Sequence, residues 1–409
     1  MFLSSVRQAL AALLVAVLVS ACGGSGGAAP PPTTGITVTP GDGRVTVTWA
    51  MDPNVKYWVF YAPSTSISTA NWTNILGSAA VMNVTSPYVV NGLANGYTYS
   101  FTVNGRTGDG PGGPGTPSVS AVPRPAGSTW SAPSMLGSNT LRSITYGTSS
   151  ADLLGYYLTV GDSGAAFKSS DGLSYSPVAT TSSANLNAAT YTLGKFIAVG
   201  TGGTIVYSPD LATWATTPSG STAPLNAIAS NGAQAVVVGN GGTAMASADG
   251  VTWVPIALPT TQNMYGITYS AAGVWTAVGA GGTLLTSTDG ATWTAVASGT
   301  TADLYSVTVQ LTTVYTYVAT GANGTIIRSA DNGATWSVQA SPTSANLLAV
   351  SPTSSQFLAT GTGGAVVTSP DGITWTSRTS STSANLYAVI SGLSQYVAVG
   401  QGGITINSQ

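Results

Sequence analysis

The chain has 409 residues but only 22 formally charged side chains, ten Lys and Arg against twelve Asp, with no His and no Glu. At 5% charged, against ~25% in an average globular protein, a net charge of −2 offers no basic footprint for nucleic acid. One Cys without His cannot assemble a zinc or iron site, and 43% hydrophobic residues argue against disorder.

Taken in chain order, the first element is an apolar run from Ala9 to Val19 behind Arg7. It is too short to cross the ~30 Å hydrocarbon core, which takes ~20 helical residues, so residues 1–21 read as a signal peptide. Val19-Ser20-Ala21-Cys22 resembles the lipobox of bacterial lipoproteins. The resemblance implies cleavage before Cys22 and a diacylglycerol on its sulfur, and Gly23 in place of Asp implies sorting to the outer membrane. An ordinary secretory signal with an incidental Cys is the alternative. The expected protein is exported and lipid-anchored to the bacterial cell envelope, touching the membrane through the lipid alone. Residues 22–34 contain GGSGGAAPPPTT, a Gly/Ser then Pro-rich tether without hydrophobic period.

From 35 to 123 short alternating strands are separated by turns, the pattern of a β-sandwich. Val45, Val47 and Trp49 alternate inward, and Trp58, Phe60 and Leu93 are expected to continue the apolar set. Leu93 to Val103 followed by GPGGPGTPS resembles strands F and G of fibronectin type III domains, which implies Trp49 as the strand-B core tryptophan and Tyr99 at the tyrosine corner. Arg106-Thr107-Gly108-Asp109 is not the integrin-type tripeptide, so the domain reads as a spacer or generic contact module. Residues 124–127 read as a hinge.

Residues 128–409 repeat with a period near 40 residues. Six of the units carry a Ser-x-Asp turn leading to an aromatic, usually through Gly, with Asp171, Asp210, Asp249, Asp289, Asp331 and Asp371 as the acids. Before each turn come a Leu-x-Ala-Val-like segment and an aromatic-led strand ending in Gly. Four short strands per unit make a propeller blade, and seven inner segments predict seven blades. The chain closes on the third strand Gly402 to Ser408, so Thr129-Trp130 is expected to supply the missing outer strand of the last blade. The fold class is therefore all-β, a fibronectin type III-like sandwich followed by a seven-bladed propeller.

The Ser-x-Asp-Gly-x-Thr-Trp boxes resemble the Asp-box of bacterial neuraminidase repeats. The longer pattern, with Ala-Val-Gly-x-Gly-Gly-Thr-Ile ahead of the box, looks closer to the photosystem II assembly and stability factor family. A box Asp can clasp the backbone N–H groups of its own turn, so the six read as structural, leaving Asp152, Asp162 and Asp303 as the other propeller acids. A sialidase needs three converging Arg, a Tyr activated by Glu and an acid/base Asp. Here Arg142, Arg328 and Arg378 fall on different strands, there is no Glu, and Ser–His chemistry lacks its His. No catalytic residue, metal or cofactor is expected.

Loops opposite the boxes give a better working surface. The residue after each inner-strand Leu or Met forms a ring of Arg142, Asn187, Asn226, Tyr265, Tyr305, Leu348 and Tyr387. Such side chains pair apolar rings with hydrogen-bond donors, which suits a peptide or sugar; equally, they can fill the channel between blades. Asp162 and Asp303 are expected to rim the same face, too sparse for calcium. The sequence reads as a non-catalytic binding or scaffold lipoprotein for an envelope protein or glycan, with an atypical sialidase-like glycosidase and a structural or adhesive surface protein as alternatives.

Overall fold

A computed structural model describes residues 28–29, 31–32, 34–107, 112–311, 314–353, 356–392 and 395–408. The expected signal peptide, Cys22, most of the tether and Asp109 lie outside these residues. The chain divides after Ala126 into two units, so the expected hinge is apportioned: Arg124 donates its N–H to Gly41 O at 3.1 Å in the first unit, and Gly127 belongs to the second.

In the first unit, strands β2 (Ile36–Gly41), β3 (Arg44–Trp49) and β6 (Tyr88–Asn91) form one sheet. Strands β4 (Lys56–Ala62), β5 (Ala79–Val84), β7 (Tyr99–Arg106) and β8 (Val119–Ala121) form the other. Ala28–Ala29 (β1), inside the expected tether, pair with Gly105 and Arg106 of β7. Every second residue of a strand faces the same way, and the shared core takes Val45, Val47 and Trp49 from one sheet and Tyr57, Val59, Phe101 and Val103 from the other. The Tyr99 hydroxyl accepts the Ala94 N–H at 3.1 Å, pinning the chain ahead of β7.

The expectation that Trp58 and Phe60 join that core is wrong. Segment KYWVFYA is apolar at nearly every position, so periodicity does not choose a face. Tyr57 and Val59 take the core side, and Trp58 and Phe60 pack on the opposite face with Ile67, Trp72, Ile75 and Ala80.

The second unit is a propeller. Its described residues form seven four-stranded antiparallel sheets, six running inner to outer in chain order and the last taking its outer strand from the start of the unit. The innermost strands are Leu141–Thr148, Leu186–Thr192, Leu225–Ser230, Met264–Tyr269, Leu304–Leu311, Leu347–Pro352 and Leu386–Gly392. Their leading Leu or Met is fully buried in every sheet. Second strands such as Ala235–Gly239 are buried along their whole length, because each face of a sheet packs on a neighbouring sheet, which explains their unbroken apolar runs. In Phe196–Val199 the two faces separate cleanly. Phe196 and Ala198 pack with Leu158 and Val160 of the preceding sheet. Ile197 and Val199 pack with Leu225, Ile228 and Val237 of the following one.

Closure uses both ends of this unit. The outer strand of the last sheet is Ser134–Met135, paired with Thr405 and Ile404, rather than the expected Thr129-Trp130. Those residues instead complete a turn split across the sequence. Gly127 donates its N–H to Ser408 Oγ at 2.7 Å, as Gly172 does to Ser169 Oγ at 2.8 Å inside an intact box. Trp130 Nε1 donates to Gly127 O at 3.1 Å, as Trp293 Nε1 does to Gly290 O at 3.2 Å. Gly127-Ser-Thr-Trp130 is thus the rear half of a box whose Ser arrives 281 residues later. Leu141, Ile144 and Tyr157 of the first sheet then share a core with Val397 and Val399 of the last.

Candidate functional site at the inner-strand ends

The ring residues share one local cause. In all seven sheets the pairing of first and second strands slips right after the leading Leu or Met, for example between Leu141 and Ser143 or Met264 and Gly266. Arg142, Asn187, Asn226, Tyr265, Tyr305, Leu348 and Tyr387 are the extra residues of these β-bulges, which free a side chain from the ladder and re-aim it. All seven are half-buried.

They divide into two arcs. Tyr265 and Tyr305 have ring centroids 5.8 Å apart, and the Arg142 guanidinium lies 5.8 Å from the Tyr387 ring. With Leu348, these tyrosines make the aromatic arc. Burial, with Asp303 and Tyr265 nearby, pushes the Tyr305 phenol up from its ordinary value, so at neutral pH it is an uncharged donor and acceptor. The asparagines of the other arc are committed to the scaffold. Asn187 Nδ2 donates to Leu225 O at 2.9 Å, and Asn226 Nδ2 donates to Met264 O at 2.9 Å and Asn240 Oδ1 at 2.7 Å. Each clamps the next inner strand.

The acids are occupied as well. Asp162 pairs with Arg142. Asp303 Oδ1 accepts the Gly281 N–H at 2.8 Å, an inter-sheet clasp that Asn185, Asn263, Asn346 and Asn385 repeat at 2.9 Å. This clasp was missed from sequence, although an Asn or Asp stands directly before five of the seven inner strands. Asp152 accepts the Tyr156 hydroxyl at 2.7 Å and the Leu154 N–H at 3.0 Å.

The box acids stand at the other end of the sheets. Ser169, which opens a box, pairs with Tyr157 at the start of its second strand, whereas Leu141 pairs with Gly161 at the finish. In every box the Ser Oγ donates to Oδ1 of Asp171, Asp210, Asp249, Asp289, Asp331 or Asp371 at 2.7 to 3.0 Å. The N–H groups of Thr252 and Val251 hold the Asp249 carboxyl well below the usual carboxylate range, and those of Thr292 and Ala291 do the same at Asp289. A carboxylate held ionised by its own turn is a poor proton donor.

The arginines do not converge. Arg328 Nε donates to Asp371 O at 3.1 Å and Arg378 Nε to Thr368 Oγ1 at 2.9 Å, both away from the Arg142 bulge. Among the described residues no group of three His, Cys, Asp or Glu could hold a metal, and no helix is long and apolar enough to cross a membrane.

No protein-family model matches the sequence, and none of the curated proteins does. Solved structures do resemble it. YCF48 bound to a D1 peptide aligns with a TM-score of 0.56 and 20% identity, over 68% of this chain and 94% of that one. YCF48 from Cyanidioschyzon merolae gives 0.56 and 17%, over 68% and 98%. The WD40 β-propeller domain of Doa1 gives 0.56 and 11%, over 69% and 97%. At these identities the likeness establishes the propeller fold.

Proposed function

We propose that this chain is a non-catalytic docking protein whose seven-bladed propeller holds a protein partner on the aromatic arc of Tyr265, Tyr305, Leu348 and Tyr387, beside Arg142. The observation that carries the reading is the contrast between the two ends of the sheets. At the bulge end, aromatic side chains are left half-buried and re-aimed, while Asp152, Asp162, Asp303 and the six box acids are all engaged in structural bonds. With Arg142 neutralised by Asp162, the surface suits a near-neutral segment carrying aromatic or apolar side chains. A propeller of the same fold is solved with a peptide bound, which supports a protein partner over a glycan.

In this reading the first unit is a fibronectin type III-like spacer, supported by its two packed antiparallel sheets of three and five strands and by the Tyr99 corner. Residues 1–21 direct export, and Cys22 carries a lipid that fixes the protein to the cell envelope, at the outer membrane.

Replacing Tyr265, Tyr305 and Tyr387 together by Ala is expected to leave the melting temperature within a few degrees, because these side chains stand at the rim. It should also abolish capture of the partner that the unmodified protein retains from envelope extract, with a glycan array run beside it. Retention of the same partner by the folded triple variant overturns the assignment. Cys22→Ser is expected to move the protein from the membrane fraction to the soluble fraction, and continued membrane association overturns the lipid anchor.

A further inference from the structure

The outer face of the β4–β7 sheet in the first unit carries a built site that the docking reading does not use. Strand alternation places Trp58 opposite Asn104 and Phe60 opposite Thr102 across the β4–β7 pair, all turned from the sandwich core. The Arg106 guanidinium stacks 3.2 Å from the centre of the Trp58 ring. Phe60 lies 6.2 Å from Trp58 and 5.5 Å from Trp72, centroid to centroid. Trp58, Phe60, Trp72, Asn104 and Arg106, with Met82, Gly112 and Gly113, line a cavity of about 220 Å³.

Three polar atoms of its lining residues have no partner. Asn104 is 3% exposed; its Nδ2 donates to Gly113 O at 3.2 Å, while Oδ1 is buried and unbonded. Trp58 Nε1 and Arg106 Nε are buried and unbonded beside it. Burial lowers the Arg106 guanidinium from its ordinary value. A buried polar atom left unpaired is costly, and three on residues that line one cup of aromatic rings mark a place prepared for a ligand.

The donor and acceptor set selects the ligand class. Trp58 Nε1 and Arg106 Nε each present an N–H, whereas Asn104 Oδ1 accepts. A carboxylate brings acceptors only and sets its charge against Asn104 Oδ1. An ammonium brings donors only and is repelled by Arg106. Adjacent hydroxyls on a ring supply both kinds of atom at once, and the ring's C–H face suits Phe60 and Trp72. The volume lies below the roughly 300 to 1,000 Å³ of drug-sized sites, which fits one six-membered sugar. We propose that this face of the first unit binds a single pyranose unit of a glycan, independently of the propeller ring.

The full chain serves for the test, by saturation-transfer NMR with methyl β-glucopyranoside, methyl α-mannopyranoside, methyl β-galactopyranoside and N-acetylglucosamine, and with acetate and tetramethylammonium as controls. At least one pyranoside is expected to bind with millimolar Kd, weakened about tenfold or more by Trp72→Ala and by Arg106→Gln, and unchanged in the triple Tyr variant of the propeller. Melting curves check that each variant folds. Met82→Trp places bulk at a rim position that is 46% exposed, so it blocks the cavity without entering the core and replaces any variant that fails to fold. Absence of pyranoside binding up to about 50 mM, a concentration that detects the weakest specific sites, overturns the proposal. So does binding unchanged by Trp72→Ala, Arg106→Gln and Met82→Trp, or binding of acetate in place of sugars.

Discussion

Ending the chain at Gly403 is expected to destroy cooperative folding of the propeller while leaving the first unit folded. The deleted strand, Ile404–Ser408, pairs with Tyr396–Val399 on one side and with Ser134–Met135 on the other. Its loss strips Ser134–Met135 of its whole ladder and Tyr396–Val399 of one of its two. Ile406 is fully buried and Ile404 nearly so, and removing each costs about 2 to 5 kcal/mol by the scale of buried Ile→Ala substitutions. Ser408 leaves as well, so the Gly127 N–H becomes a buried donor without its acceptor, at about 1 to 3 kcal/mol. The sum approaches the whole stability of a typical domain, about 5 to 15 kcal/mol. Urea denaturation followed by near-ultraviolet circular dichroism reads the result. Ser408→Ala alone should lower the midpoint modestly, by the hydrogen-bond share. A truncated chain that melts with the unmodified protein's midpoint would show that the propeller does not depend on this closure.

Why so much of the propeller was legible follows from its construction. Every sheet must solve the same packing problem, so the box, the apolar second strand and the glycine turn recur in the sequence until they stand out. The split box escaped because its two halves are 281 residues apart, although Gly127-Ser-Thr-Trp130 repeats the rear of Gly250-Val-Thr-Trp253. The bulges were illegible for a different reason. A slip of pairing leaves no change in apolar pattern, and its one trace is the small residue that follows, Ser143, Ala188, Ala227, Gly266, Ser306, Ala349 or Ala388. At Gly266 a Cβ would sit 3.1 Å from the Ser306 Cα and the Tyr305 O, which shows how closely the inner strands approach. The ring was therefore found by position, while the division into an aromatic arc and a clamped asparagine arc needed the hydrogen bonds. In the first unit, an apolar residue at nearly every position of β4 hid which side faced the core, and with it the Trp58 cavity.

Adjacent glycines in one turn give the sharpest test of that construction. The turn from second to third strand reads Thr201-Gly202-Gly203, and its six counterparts end in Gly164, Gly242, Gly282, Gly324, Gly364 and Gly403. The middle position is left-handed throughout but takes Ser163 at φ 56° and Asn323 at φ 53°, so a side chain there is tolerated. At Gly202 a Cβ would meet nothing within 4 Å. At Gly203, φ is +71° and a Cβ would lie 1.8 Å from the Ser221 carbonyl oxygen, a backbone atom that no rotamer change can move. Gly202→Ala is therefore expected to cost about 1 to 2 kcal/mol, the price of the left-handed conformation for a residue with Cβ. Gly203→Ala adds the clash to the same conformational cost and should exceed about 3 kcal/mol, in the range that only cavities, strain and lost networks reach. The clash also falls on the loop that leads into Leu225 and Asn226, so any partner binding at the ring should weaken in Gly203→Ala and survive in Gly202→Ala. Matched urea curves for the two variants decide the point; equal losses of stability would mean that the backbone contact at Gly203 does not hold the turn against its neighbouring loop.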